Sequence, residues 1–218
     1  MNTLLLRLSS PLQSWGVQSR FGVRDTGLEP SKSGILGLVC AALGVDREDD
    51  KTLSKLSGLR LGVRVDREGQ IRVDLHTAKD VLKAGGGMKD TELSNRYYLA
   101  DALFLVGLED QELAVLEAIQ RALANPVWPL FLGRKAFVPT EPVRLEDGLK
   151  DGQDLNSALI DYPGLSHRSE PGRVRLVVED PAGAIIRYDQ PISFGRGRRQ
   201  FMQRRMINSY INISREGS

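Results

Sequence analysis

Arginine and aromatic side chains alternate near the end of the sequence, in a pattern that suits a polyanion. No acidic residue occurs between Gln190 and Arg215. That stretch contains Arg196, Arg198, Arg199, Arg204, Arg205 and Arg215, with Phe194, Phe201 and Tyr210 among them. Guanidinium groups neutralise phosphates and aromatic rings stack on bases, so the composition indicates a surface for single-stranded nucleic acid. The alternative is a basic tail that docks on an acidic protein surface.

A second basic and aromatic segment occupies residues 10–30, and its length of about twenty residues exceeds that of a plain connection. Arg20, Arg24 and Lys32, the last at the start of a predicted helix, can face phosphates. The free amides at the start of that helix attract an anion. Trp15 or Phe21 can stack on a base, or both can anchor the loop in the core. The residue types alone leave these two alternatives open.

Two further loops combine glycines with cations. Residues 77–95 carry Lys79, Lys83 and Lys89 around three consecutive glycines and lead into Arg96. Because glycine gives the chain maximal backbone freedom, we expect this segment to be poorly ordered in isolation, and a plain flexible excursion is the alternative. In the second loop, at residues 133–135, glycine permits close backbone approach and the adjacent Arg134 and Lys135 can neutralise phosphates.

Residues suited to catalysis are few. The only histidines are His76 and His167, and a histidine can act as general acid or base in metal-independent RNA cleavage. The single cysteine, Cys40, lies in an apolar run, which indicates a buried structural thiol and excludes an internal disulfide. We predict no catalytic residue, no metal site and no cofactor, and we keep an endoribonuclease centred on His76 as the alternative.

Hydrophobic periodicity predicts the elements that would position these residues. An apolar strand over residues 2–9 precedes a helix over residues 35–43, capped by Ser31 or Ser33 and ended by Gly44. Alternation predicts a hairpin of residues 59–65 and 71–75, followed by a strand over 97–108 and an amphipathic helix over 109–124. A closing strand around residues 136–145 completes a βαββαβ order.

This order predicts an α+β fold with a ferredoxin-like (RRM-like) domain at residues 1–145, carrying an inserted hairpin or thumb at about 77–96. Residues 146–218 form the predicted extension, with a short helix over 155–160, a β-hairpin of 173–179 with 184–188, and the basic tail.

Three motifs carry a resemblance to a known family. They are PLQSWG at residues 11–16 with PSKSGILGL at 30–38, then RYYLADALF at 96–104, and FLGRKAF at 131–137. Together they resemble the CasD family of type I-E CRISPR Cascade subunits, within the repeat-associated group of ferredoxin-like RNA-binding proteins. The match spans residues 1–139 and weakens beyond them.

The resemblance implies a non-catalytic subunit that caps the 5′ handle of the CRISPR RNA in antiviral defence. It implies that the thumb hooks the handle and touches the neighbouring backbone subunit CasC, and it makes the large subunit CasA a further partner. The predicted RNA-binding residues are Gln13, Ser14, Trp15, Arg20, Arg24, Lys32, Ser33, Lys79, Lys83, Lys89, Arg96, Gly133, Arg134, Lys135, Arg196, Arg198 and Arg199. A purely structural bridging subunit is a further alternative.

Composition bounds these inferences. At 218 residues and 41% hydrophobic content the chain can bury a sizeable core. A net charge of +2 is nearly neutral, so the signal for nucleic acid comes from where the charges lie. Because no apolar run approaches the roughly 18 residues that span a bilayer, we expect a cytoplasmic protein without a membrane partner.

Overall fold

The first strand and the first helix form where local sequence signals predict them. The computed structural model describes residues 1–16, 22–83, 85–165 and 172–213. Strand β1 spans Asn2–Ser9 and helix α1 spans Lys32–Leu43. The Ser31 hydroxyl caps α1 by accepting a hydrogen bond from the Gly34 amide at 3.2 Å. Gly44 ends the helix at φ 73°, a left-handed conformation that glycine adopts without strain.

The other elements follow in chain order. The remaining helices are α2 (Asp50–Ser57), α3 (Leu113–Ala124) and α4 (Leu155–Asp161). The remaining strands are β2 (Leu12–Gln13), β3 (Val23–Arg24), β4 (Arg60–Arg67), β5 (Gln70–Leu82), β6 (Met88–Ala100), β7 (Leu103–Asp110), β8 (Arg144–Lys150), β9 (Arg173–Glu179), β10 (Ile185–Ser193) and β11 (Gln200–Asn212).

The larger sheet contains the ferredoxin-like core. Its strand order is β10-β11-β9-β4-β7-β1-β8, and the neighbouring pairs are antiparallel. The four strands β8-β1-β7-β4, with α1 between β1 and β4 and α3 between β7 and β8, give the βαββαβ topology. The predicted fold class is therefore confirmed.

Alternation along β1 builds a core on each face of this sheet. Leu4, Leu6 and Leu8 pack with buried residues of α1, α2 and α3. Leu5 points the other way and packs with α4. Gly107 lets α4 pack closely on the sheet, because a Cβ atom there would lie 2.5 Å from a methyl carbon of the α4 residue Leu155, which would have to shift. The larger sheet is thus covered by helices on both faces.

The smaller sheet is built around β6 and corrects one sequence prediction. Strand β5 pairs with β6 from Gln70 opposite Ala100 to Leu82 opposite Met88. The predicted hairpin of residues 59–65 with 71–75 is wrong, because β4 pairs with β7 and β9 instead. Residues 77–95, expected to be poorly ordered in isolation, lie mostly in strands, since β5 ends at Leu82 and β6 begins at Met88. Strands β2 and β3 also pair with β6.

The C-terminal part differs from its prediction in strand partners. The predicted short helix is present as α4, but β9 and β10 do not form a hairpin with each other. Strand β11 lies between them and pairs with both. The basic tail is therefore a central strand, and the C-terminal hairpin consists of β10 and β11. The closing strand of the core is β8, which begins at Arg144, near the end of the segment predicted for it.

The larger sheet continues across residue 145, so the division into residues 1–145 and 146–218 stays a prediction. Among the described residues, no helix has the length and apolar character that crossing a membrane requires.

Candidate nucleic-acid interface

A cleft of about 490 Å³ lies where the smaller sheet, the loop after α3 and the C-terminal strands meet. Seven residues predicted from the sequence line it: Ser14, Arg24, Ser33, Arg96, Gly133, Arg134 and Arg199. They come from segments far apart in the chain, so the fold brings them together. Of the remaining lining residues, Phe201 belongs to the basic and aromatic segment identified in the sequence, whereas Gly16, Asp25 and Tyr188 were not predicted as site residues.

Four arginines line the cleft, and three of them, Arg24, Arg96 and Arg134, lie close enough to interact electrostatically. Arg24 lies directly opposite Arg96 in the parallel pairing of β3 with β6, which places both side chains on one face of the smaller sheet. Burial lowers the pKa of Arg134, and the nearby charges of Arg96 and Arg24 lower it further. Because the three like charges repel one another, an anion such as a phosphate would be stabilised between them.

Arg134 is held in place by two contacts with the protein. Its Nη2 donates a hydrogen bond to the Tyr97 carbonyl at 2.7 Å, and its guanidinium carbon lies 5.4 Å from the centre of the Phe137 ring. The turn that follows Arg134 is closed by a hydrogen bond from the Phe137 amide to the Arg134 carbonyl at 2.8 Å. The guanidinium is thus partly ordered before any ligand arrives, which lowers the entropic cost of binding.

Gly133 permits the loop after α3 to approach the segment after β2. The Ser14 amide donates to the Leu132 carbonyl at 3.1 Å. Gly133 has φ 93°, and a Cβ atom there would lie only 1.7 Å from the Ser14 carbonyl oxygen. A side chain is therefore excluded, and the first and third sequence motifs meet at this point.

Three predicted RNA contacts are corrected by burial. Trp15 is 1% exposed and donates through Nε1 to the Gln13 side chain, so it anchors the core. Gln13 is fully buried and donates to the carbonyls of Leu8 and Ala102. Lys32, also 1% exposed, cannot reach a bound phosphate.

Lys32 takes part in a buried ion pair instead. Its Nζ donates to both carboxylate oxygens of Glu179, at 2.9 and 3.0 Å. Burial lowers the pKa of Lys32, and this effect outweighs the opposing effect of Glu179. The backbone amide of Lys32 donates to Asp189 at 2.9 Å, so the first amide of α1 already has an acidic partner.

The C-terminal arginines divide between structural and cleft positions. Arg198 forms ion pairs with Glu48 at 2.9 Å and Asp50 at 3.5 Å. The backbone amide of Arg196 also donates to Glu48, and this bond together with Arg198 lowers the pKa of Glu48. Arg198 is therefore paired with acidic side chains of this chain, whereas Arg199 lines the cleft.

Four other predicted contacts are exposed but do not line the cleft. Lys79, Lys83 and Lys89 lie towards the far end of the β5-β6 hairpin, and Lys135 follows Arg134. Lys89 forms an ion pair with Glu92. These residues stay predictions, as does the exposed side chain of Arg196.

Arg20 and Phe21 lie outside the described residues, as do His167 and Arg215. His76, on which the endoribonuclease alternative is centred, is on β5, where its Nε2 lies 2.6 Å from an oxygen of Asp74. It does not line the cleft. Within residues 1–16, 22–83, 85–165 and 172–213, no group of three or more histidine, cysteine, aspartate or glutamate residues could hold a metal ion.

Comparison with known proteins identifies the family. The family model for CRISPR-associated protein (Cas_Cas5) matches residues 3–207. CRISPR system Cascade subunit CasD of Escherichia coli (strain K12) is 34% identical over 172 residues, covering 73% of this chain and 76% of that protein.

Two solved structures are similar over nearly the whole chain. One, described as a crystal structure of Cas protein, is 44% identical with a TM-score of 0.79, covering 96% of this chain and 95% of the other. A chain of a CRISPR RNA-guided surveillance complex is 34% identical with a TM-score of 0.81, covering 97% and 90%. These findings confirm the resemblance found in the three sequence motifs. The chain belongs to the Cas5 family of CRISPR-associated proteins.

Proposed function

We propose that this chain is a non-catalytic Cascade subunit that binds the 5′ handle of a CRISPR RNA in antiviral defence. The observation that carries the proposal is the convergence of Arg24, Arg96 and Arg134 on one cleft. Each of these arginines comes from a different segment of the chain. The fold therefore brings them together, and they do not form a run of basic residues in the sequence. Guanidinium groups bind phosphate by paired hydrogen bonds.

The cleft suits the backbone of a single strand. The Ser33 hydroxyl lies beside the arginines, and hydroxyl groups donate hydrogen bonds to phosphate and ribose oxygens. The Ser14 hydroxyl donates to the Tyr97 carbonyl at 3.3 Å instead. The absence of a side chain at Gly133 lets the loop after α3 lie directly against Ser14, and this close contact positions Arg134 beside the cleft. Phosphate contacts of this kind fix the position of the RNA without reading its sequence.

The partners proposed with the RNA are other Cascade subunits, the backbone subunit CasC and the large subunit CasA. That the partners are Cascade subunits is supported by the names of the related CasD subunit and of the related chain in a surveillance complex. The choice of CasC and CasA follows from the resemblance in the three sequence motifs. The β5-β6 hairpin suits a contact with a neighbouring subunit, because Ile71, Val73 and Leu75 lie exposed on one face of β5.

The test is a binding titration of the full chain with end-labelled cognate repeat RNA in EDTA, analysed on native and denaturing gels. We expect a shifted but uncut RNA. Charge reversal of both Arg24 and Arg134 to glutamate should abolish the shift, because it replaces attraction for phosphate by repulsion. The matched control is Arg121→Glu, which changes an exposed arginine on α3 away from the cleft. Equal affinity of the cleft and control variants would refute the proposal.

A metal-independent endoribonuclease is the second candidate, and the pairing of His76 with Asp74 favours it. A carboxylate that orients a histidine is a common arrangement in general acid-base catalysis. The same gels test this function, because it predicts a defined cut by the wild-type chain that His76→Ala abolishes. Binding without cleavage would leave the handle-binding function in place.

A further inference from the structure

We propose that Tyr188 is a stacking platform for one unpaired base of the bound RNA, with Phe201 as the second aromatic surface of the same slot. The inference rests on the proposed function and adds where a base is held. It concerns a residue that the sequence patterns did not single out.

A β-bulge presents Tyr188 to the cleft. In the pairing of β10 with β11, Arg187 is opposite Arg204 and Gln190 is opposite Met202. Two residues of β10, Tyr188 and Asp189, therefore face a single residue of β11. Such a bulge locally redirects side chains, and bulges are frequent beside functional sites.

The two bulge residues have opposite environments. Asp189 is buried and accepts hydrogen bonds from Arg204 at 2.6 and 2.9 Å. Tyr188 is 61% exposed and lines the cleft. Because Asp189 is fixed in the interior, the neighbouring tyrosine ring is held outward on a sheet strand and not on a flexible loop.

Phe201 adds a second aromatic surface. It is 38% exposed, and the guanidinium carbon of Arg199 lies 5.6 Å from the centre of its ring. Both residues line the cleft, so the aromatic side chains and the guanidinium groups of the smaller sheet share one space. A volume of about 490 Å³ is within the range of sites that hold small organic groups.

This combination matches the two parts of a nucleotide. The arginines suit the phosphates, and the aromatic rings suit the flat face of a base. Because every base has such a face, stacking tolerates any base but requires that the base be unpaired. The expected ligand is therefore a single-stranded RNA segment with one base turned into the cleft.

The experiment replaces each nucleotide of the cognate handle in turn by an abasic ribose and measures the affinity of the full chain. For the wild-type chain we expect one position at which removal of the base weakens binding by about 5- to 150-fold, the range for stacking of a base on an aromatic ring. Tyr188→Leu should weaken binding of intact RNA by a similar factor. With the abasic RNA, Tyr188→Leu should cause no further weakening, since the two changes remove the same interaction.

Two control variants separate stacking from other effects. Tyr188→Phe keeps the ring and should bind like wild type. Tyr210→Leu removes another exposed tyrosine, which lies outside the cleft on β11 and has the Arg173 guanidinium 4.6 Å from its ring. That variant should also bind like wild type. Tyr188→Leu should leave the salt dependence unchanged, because the phosphate contacts remain.

The outcomes distinguish the two proposals. The stacking slot is refuted if intact RNA binds in a salt-sensitive manner but no abasic position abolishes the difference in affinity between wild type and Tyr188→Leu. Handle binding would then still stand. No binding of intact RNA by the wild-type chain would overturn handle binding, and the stacking slot with it.

Discussion

Replacing Gly133 by alanine should damage both stability and RNA binding, because two separate constraints act at this residue. The first is its backbone conformation, since φ is 93°. The second is space, since the new Cβ atom would lie 1.7 Å from the Ser14 carbonyl oxygen, which belongs to the backbone and cannot rotate away. The loop after α3 must therefore move relative to Ser14.

The size of the effect follows from these constraints. The left-handed conformation costs an alanine about 1–2 kcal/mol. Movement of the loop also breaks the hydrogen bond from the Ser14 amide to Leu132, which contributes about 0.5–1.5 kcal/mol. The free energy of unfolding should thus fall by roughly 2–3 kcal/mol, which corresponds to a decrease in Tm of roughly 5–10 °C for a chain of this size. Because Arg134 follows directly, its displacement should weaken RNA binding by about tenfold or more.

Gly152→Ala is the matched control. Gly152 also has positive φ, at 70°, but no atom lies within 4 Å of the position of its Cβ. It should lose only the conformational contribution of about 1–2 kcal/mol and keep full RNA affinity. Urea unfolding and RNA titration of the three proteins test the reasoning. If Gly133→Ala were no less stable than Gly152→Ala and bound RNA like wild type, the close approach would have no energetic role.

Three further outcomes are expected. Arg134→Gln should reduce the slope of log affinity against log salt by about 0.7 for each phosphate that is no longer neutralised. The control Arg121→Gln should not change this slope. An unchanged slope for both variants would show that Arg134 does not contact a phosphate. Lys32→Met should lower the free energy of unfolding because the partly buried Glu179 loses its cation, by at most the roughly 3–5 kcal/mol that follows when a fully buried pair is broken. Glu179→Gln in the same chain should restore part of this loss in urea titrations. Burial raises the pKa of Cys40 from 9.0 to about 11, so unfolding releases a proton between these values. Between these pH values the free energy of unfolding should therefore fall by up to about 1.4 kcal/mol per pH unit. Cys40→Ala should remove this contribution, and an unchanged pH dependence in that variant would show that the thiol is not its source.

Local signals in the sequence predicted the elements well, because each acts within a few residues. Ser31 caps α1 and Gly44 ends it, as side-chain and backbone chemistry require. Strand partners were harder to predict. The alternation of Ile71, Val73 and Leu75 identifies a strand but contains nothing that selects β6 over β4 as its neighbour. The same is true of β11, which lies between two strands predicted to pair with each other.

The cleft was predictable where its residues lie in loops with glycine, as at Arg134. It was not predictable where burial decides the role of a charge. Lys32 and Arg24 look alike in the sequence, yet Lys32 is paired in the interior and Arg24 is exposed in the cleft. Tyr188 was missed for a different reason, since its orientation depends on a bulge that arises only when β10 and β11 pair.

Buried ion pairs and hydrogen bonds hold the two sides of the cleft in fixed positions relative to each other. The segment that leads from Arg24 into α1 contains Glu29, which accepts a hydrogen bond from Arg175 of β9 at 2.8 Å. In the same segment Lys32 is paired with Glu179 of β9 and bonded to Asp189 of β10. Asp189 is also the bulge residue beside Tyr188, so one carboxylate joins the start of α1 to the strand that carries the aromatic ring. A buried charge tolerates little displacement from its partner, because separation leaves both charges desolvated. The arginines of the smaller sheet and the aromatic rings of the C-terminal strands are therefore held at a fixed separation, as a site for the phosphate and the base of one nucleotide requires.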